Sequence, residues 1–225
     1  MPAELETWSD PDELWLGRGS GTNPCRPIFT GDVFALGGEG FGQVVVLEHP
    51  CAMRAGARLA DTVLVAPVTT HPLSSATRWR EGHFDYAPLP ELDGHTVMSA
   101  CQLSALTRVE SASLDRSTRT ACLLPFGVNL LQQRLVWYLT RCAITTATFE
   151  LAFSRFYEEA DLLEEWCEAA IGAGVGIEEA EADGEGVLSA RGATGTSPRE
   201  LLADPQHRAA VRRLLKASAV ERYGR

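Results

Sequence analysis

Gln43-Val-Val-Val-Leu47 and Thr62-Val-Leu-Val-Ala66, the latter running on into Pro67-Val-Thr-Thr-His71-Pro72, decide how this chain reads. Both runs are β-branched or aliphatic and both are bounded by turn residues, which predicts two buried strands. The second strand delivers two hydroxyls and an imidazole to one edge of a sheet or barrel. Upstream, Gly31-Asp32-Val33-Phe34-Ala35-Leu36 reads as a turn followed by an alternating strand. Downstream, residues 97–108 carry a further short apolar segment that ends in Arg108.

At 225 residues the chain has room for one large domain, or for one domain with an appendage. Its 45% apolar content is that of a folded globular protein. No run approaches the roughly 18 apolar residues of a membrane helix, and Met-Pro-Ala-Glu-Leu-Glu at the start lacks a basic, apolar signal. The expectation is a cytoplasmic protein that needs no membrane. Six cysteines, at 25, 51, 101, 122, 142 and 167, form no Cys-x-x-Cys pair and sit mostly in apolar runs. They read as buried, reduced thiols rather than a disulfide framework or a zinc site. No metal or cofactor is expected.

The formal charge of -10 is unevenly placed. Residues 143–186 carry acids from Glu150 to Glu185 against the single base Arg155, and the balance reverses over residues 187–225. A solvated acidic helix packed beside a basic one accounts for this; a partner surface or nucleic-acid mimic is the functional alternative.

The remaining segments follow from local signals. Ser9-Asp-Pro-Asp-Glu13 caps a helix leading into Leu14-Trp15-Leu16, and residues 17–23 read as a Gly-rich linker. Residues 37–42 hold four glycines and predict a tight hairpin between the first two strands. The polar stretch 73–93 contains Arg78-Trp79-Arg80 and Phe84-Asp85-Tyr86. Helical spacing appears over residues 128–141 and 146–170. Residues 172–196 lack periodicity and read as a mobile loop. Ser197-Pro-Arg-Glu200 forms a capping box, and Asp204-Pro205 opens a last helix.

In their order and spacing the strand pieces resemble the toxins of the MazF/PemK family. That pattern has a Gly-Asp turn and strand, a strand ending in Ser-Pro, one ending in Pro-Ile-Thr-Ser or similar, a polar hairpin, and an Arg-terminated strand. Here the parts read Gly31-Asp32-Val33, Val44-Val-Val-Leu-Glu-His-Pro50, Val63-Leu-Val-Ala-Pro-Val-Thr-Thr70 and Met98 to Arg108. The resemblance covers roughly half the chain. It implies an α+β protein: an SH3-type barrel of bent antiparallel strands followed by α-helices. It also implies a homodimer, an antitoxin or other protein partner, and metal-independent endoribonuclease action on single-stranded RNA.

On this reading residues 1–25 are an N-terminal helix and linker, 26–145 the barrel with its closing helix, and 146–225 a helical acidic and basic extension. Metal-free RNA cleavage needs an aligned 2′-hydroxyl, a base, and positive charge for the phosphorane. The family position falls on Thr69 and Thr70 as phosphate donors, with His71 or His49 to move the proton. Gln43, Arg54, Arg78, Trp79, Arg80 and Arg108 are the candidate RNA-binding residues, Arg-Trp-Arg offering charge and stacking together. The family's basic loop residue has no counterpart, since that place reads Phe41-Gly42-Gln43. His49-Pro50-Cys51 also suggests a thiol–imidazole pair. Three functions compete: an endoribonuclease toxin, a catalytically inactive barrel that binds protein or nucleic acid, and a toxin covered in cis by its acidic segment.

Overall fold

A computed structural model of the chain describes residues 5–37, 42–72, 75–93, 98–192 and 195–224. They form two compact units. The first comprises Met1–Asn23, Ile28–Met53 and Ala60–Ala152, the second Pro24–Pro27, Arg54–Leu59 and Phe153–Arg225.

The first unit is α+β. A 3-10 turn at Pro11–Leu14, capped by the Asp10 carboxylate, leads directly into strand β1 (Trp15–Arg18) and a second 3-10 turn, Gly19–Gly21. Then come β2 (Val33–Ala35), β3 (Gln43–Val46) and one helical turn, α1 (Pro50–Met53). The two-residue strands β4 (Arg54–Ala55) and β5 (Arg58–Leu59) pair with each other and count with the second unit. The chain returns through β6 (Thr62–His71), helix α2 (Ala76–Glu81), β7 (Tyr86–Leu89), β8 (Met98–Gln102), β9 (Thr107–Glu110), β10 (Arg119–Leu123) and helix α3 (Pro125–Thr140).

These strands make one curled antiparallel sheet in the order β1-β10-β2-β3-β6-β8-β7, with β9 also on β6. Strand β6 is its spine. One edge pairs with β3 (Val46 opposite Val65), while the other pairs with β9 over Thr62 to Val65 and with β8 over Val68 to His71. Strands β8 and β9 are in effect one strand, interrupted by a 3-10 turn at Leu103–Ala105 that bends the sheet at Ala66-Pro67. The curl brings the edges together through side chains. Trp15 Nε1–H donates to the Pro90 carbonyl at 2.9 Å, and Arg18 donates to the Glu91 carbonyl at 2.8 Å.

Val44, Val45 and Val46 are all fully buried, so β3 is covered on both faces, and this is why its sequence is a continuous apolar run rather than an alternating one. At the Gly31-Asp32 turn, the Asp32 carboxylate accepts from Phe29 N–H at 3.0 Å and from Arg119 at 2.9 Å. Arg119 also donates to the Asn23 carbonyl. This ion pair is almost wholly shielded from water.

The second unit is helical. Helix α4 (Thr146–Gly172) runs into it from the first unit and is followed by α5 (Ile177–Ser189), α6 (Pro198–Leu201) and α7 (Pro205–Tyr223). Leu162, Leu163, Leu188, Leu202, Val211 and Leu215 form its core. The capping box at Ser197 and Glu200 and the Asp204 cap are both present. The acidic and basic helices neutralise each other within this unit, through Arg212 with Glu158 and Glu165, Arg199 with Glu159 and Glu185, and Arg222 with Asp183.

Several expectations need correction. Of the expected N-terminal helix only the capped 3-10 turn Pro11–Leu14 forms, and the chain beyond it is no linker at first: Leu14 and Trp15 are buried, and residues 15–18 are an edge strand on β10. Residues 172–196 are not one loop, because Ile177–Ser189 is helical. Its inward positions Ala180, Gly184 and Leu188 recur every four residues, but two are too small to register as apolar periodicity. A Cβ on Gly184 would lie 2.9 Å from the Trp166 ring, so the small residue sets how closely α5 packs on α4. The polar stretch 73–93 contains helix α2 and strand β7. Cys51 and Cys142 are exposed, whereas Cys25, Cys101, Cys122 and Cys167 are buried. The expected hairpin at 37–42 has its middle outside the described residues, although β2 and β3 do pair, with Ala35 opposite Gln43. Among the described residues no helix is long and apolar enough to cross a membrane.

Candidate nucleic-acid interface

Alternation along β6 sets the candidate site. Thr70 is exposed and His71 points inward, as neighbours on a strand must. His71 enters an aromatic cluster, its ring 4.9 Å from Trp79, 4.7 Å from His83 and 5.0 Å from Tyr86. Its Nδ1 lies 3.1 Å from the Pro72 carbonyl, which can only accept, so Nδ1 carries the proton.

Helix α2 advances about 100° per residue, so it cannot present Arg78, Trp79 and Arg80 on one face. Trp79 turns inward and is fully buried, with Nε1 donating to Met98 Sδ at 3.1 Å, while Arg78 and Arg80 are exposed. Trp79 is therefore core, which corrects its reading as a stacking platform for RNA. Beneath it lies the buried Arg134, its guanidinium 5.2 Å from the Trp79 ring centre and donating to the carbonyls of Trp79 and Tyr86. Burial pushes the Arg134 pKa down to about 10, so it is still charged at neutral pH. His83 is held below its usual range by desolvation, and then by the charges of His71, Arg134 and Arg78.

Beside this cluster opens a cleft of about 430 Å³ lined by His83, Phe84, Asp85, Tyr86, Trp137 and Arg141. Phe84 and Trp137 meet with ring centres 5.4 Å apart, inclined at 49°. Trp137 Nε1 is buried and has no hydrogen-bond acceptor among the described residues. Arg141 ends α3 in a left-handed conformation (φ 60°), its backbone N–H capping the Trp137 carbonyl, and its guanidinium lies 5.8 Å from the Tyr138 ring centre. Half-buried rings and a terminal guanidinium can together hold a planar, anionic ligand.

The other sequence candidates do not join this group. Leu47 N–H bonds the Leu64 carbonyl, so His49 leaves the sheet near the Thr62 end of β6. At about 3.3 Å per residue that end is roughly 26 Å along the strand from Thr70. His49 Nδ1 lies instead 2.9 Å from Cys51 Sγ. Arg108 is also at the far end, bridging Glu48 and Thr62. Arg54 belongs to the second unit, where it pairs with the buried Glu181 at 3.1 Å. Gln43 reaches toward Thr120. Thus Thr69, Thr70, His71, Arg78 and Arg80 share one end of the first unit, and His49 and Arg108 lie at the other. Trp137, Arg141 and His83 were missed as site residues. The one signal for them was an arginine three residues after the aromatic pair Trp137-Tyr138 at a helix end, and that pair was read as core.

Among the described residues no group of three or more His, Cys, Asp or Glu side chains is placed to hold a metal ion. No model of a known protein family matches the chain, and no curated protein matches it.

Proposed function

We propose that the first unit is an SH3-type barrel of the MazF/PemK-like kind, and that it binds single-stranded RNA without cutting it. The barrel reading is supported by a sheet bent about the long shared strand β6 and by edges joined through Trp15 and Arg18. The binding reading rests on one observation, the aromatic cleft at Phe84, Trp137 and Arg141 beside the exposed arginines of α2. Cleavage is disfavoured by the placement of the candidate bases. His71 is packed among rings, and His49 is at the opposite end of β6 from the threonines. The acidic segment is also poorly suited to mimic RNA, since Glu158, Glu159, Glu165, Asp183 and Glu185 are taken by arginines of their own unit.

The test is fluorescence anisotropy of a labelled, mixed-sequence single-stranded RNA at low salt with the full chain. Arg141→Ala combined with Trp137→Phe should weaken binding about tenfold, the scale of one lost stacking or guanidinium contact, and added salt should weaken it further. No binding at 50 mM salt, or binding indifferent to these substitutions, overturns the reading. The same RNA incubated in EDTA should stay intact. Fragments that vanish in a Thr69→Ala/Thr70→Ala variant would establish the endoribonuclease instead.

A further inference from the structure

His49-Pro50-Cys51 is the one chemically loaded motif that the RNA-binding reading leaves unused. The chain leaves β3 here and makes the single turn α1. His49 caps that turn: the Cys51 backbone N–H approaches its Nδ1 at 3.2 Å, while Ala52 and Met53 N–H bond the His49 carbonyl. A ring nitrogen that receives a backbone N–H is in its acceptor state, so the neutral imidazole carries its proton on Nε2. The Cys51 thiol sits 2.9 Å from that same Nδ1 and is exposed to solvent. Among the described residues the thiol thus shares this imidazole acceptor with the backbone N–H, and an S–H beside an imidazole nitrogen, with its sulfur open to a reagent, is the arrangement of an assisted thiol nucleophile.

The chain supplies its own control. Cys142 is exposed too, but its sulfur lies 3.8 Å from the Thr140 carbonyl, which cannot take a proton. The other cysteines are buried, and burial raises the Cys101 thiol far out of the reactive range.

We propose that Cys51, with His49 as its base, is a covalent modification site for small disulfides. The Cys51 sulfur attacks one sulfur of the reagent RS–SR. A Cys51–SR bond forms as the RS–SR bond breaks, and the thiol proton passes to His49 Nδ1. The leaving RS⁻ takes the electron pair of the broken bond and is protonated from the imidazolium. Cys51 is thereby oxidised to the mixed disulfide, and the departing sulfur is reduced to a thiol.

The probe is dithiobisnitrobenzoate, whose released thiolate is coloured, used on the native full chain at neutral pH with mass-spectrometric mapping of the modified cysteines. A thiol whose proton passes to a neighbouring imidazole as its sulfur attacks needs no prior ionisation. Cys51 should therefore react about tenfold faster than Cys142. In His49→Asn, whose side chain still caps the turn but holds no base, the Cys51 rate should fall to that of Cys142. In Cys142→Ser the fast phase should persist, and in Cys51→Ser it should vanish. Equal rates at the two cysteines, or a Cys51 rate unchanged in His49→Asn, overturn the proposal. Circular dichroism of His49→Asn separates loss of the base from loss of the turn. If His49→Asn unfolds, the wild-type ratio of the two rates still decides the matter.

Discussion

Replacing Asp32 by alanine strikes the first unit where its turn and its sheet are joined. The carboxylate holds two groups, the Phe29 N–H at 3.0 Å and the Arg119 guanidinium at 2.9 Å, and only 2% of its side-chain surface meets water. Removing one member of a buried pair leaves the other charged and desolvated, which costs about 3–5 kcal/mol. The orphaned turn amide adds about 1 kcal/mol. Arg119 keeps its bond to the Asn23 carbonyl, which offsets part of this, so the expected loss is about 4 kcal/mol. Adding Arg119→Met to Asp32→Ala removes the stranded charge and should recover about 2 kcal/mol. Trp8, Trp15, Trp79 and Trp137 lie in the first unit and Trp166 in the second. In a Trp166→Phe background, urea unfolding followed by tryptophan emission therefore reports the first unit alone. A loss below about 1 kcal/mol for Asp32→Ala, or a double variant no better than the single, would refute the claim that this pair locks turn to sheet.

Two further predictions concern packing and proton linkage. Gly127→Ala in α3 places a Cβ 2.5 Å from the Leu14 carbonyl oxygen, so it should destabilise the first unit by about 1–3 kcal/mol in the same emission assay. Burial holds the Glu159 carboxyl above its usual range, with Arg199 opposing and Glu185 reinforcing the shift. The folded state therefore binds this proton more tightly than the unfolded chain. Its contribution is complete below the ordinary value of 4.5 and is lost as pH rises through the elevated one. The melting temperature of wild type relative to Glu159→Gln should accordingly fall from pH 4.5 upward; a difference constant with pH would contradict it.

What could be read from sequence followed how burial writes itself into residue type. Strand β3 was legible because β-branched residues buried on both faces leave an uninterrupted run, β6 because β-branched and aliphatic residues fill it from Thr62 to Ala66, and α3 and α4 because their large apolar residues repeat at helical spacing. Strand β7 was missed because Pro88 argues against a strand, yet β7 is the outermost strand of the sheet, where a proline leaves fewer ladder bonds unmade. Helix α5 was missed because Ala180 and Gly184 bury without looking apolar. At the site, Thr69 to His71 were correctly read as the end of a strand, but the sequence could not say which neighbour faced inward. Trp79 between two arginines looks like a surface motif until a helix turns it into the core. His49 and Thr70 both looked placed for one reaction, and only the antiparallel register of β3 on β6 separates them.

The pairing of β1 with β10 makes the order of synthesis matter. Trp15 lies opposite Leu123, and β10 is also the partner that covers β2. A chain emerging from the ribosome can pair β2 with β3 and β3 with β6, but the free edge of β2 has no neighbour until Arg119–Leu123 has been made. Strand β1 must wait equally long, and such distant pairing makes for slow folding. From the making of β2 until that of β10 the nascent sheet therefore carries an open apolar edge at Val33 and Phe34, the sort of surface on which unfinished chains aggregate or recruit chaperones.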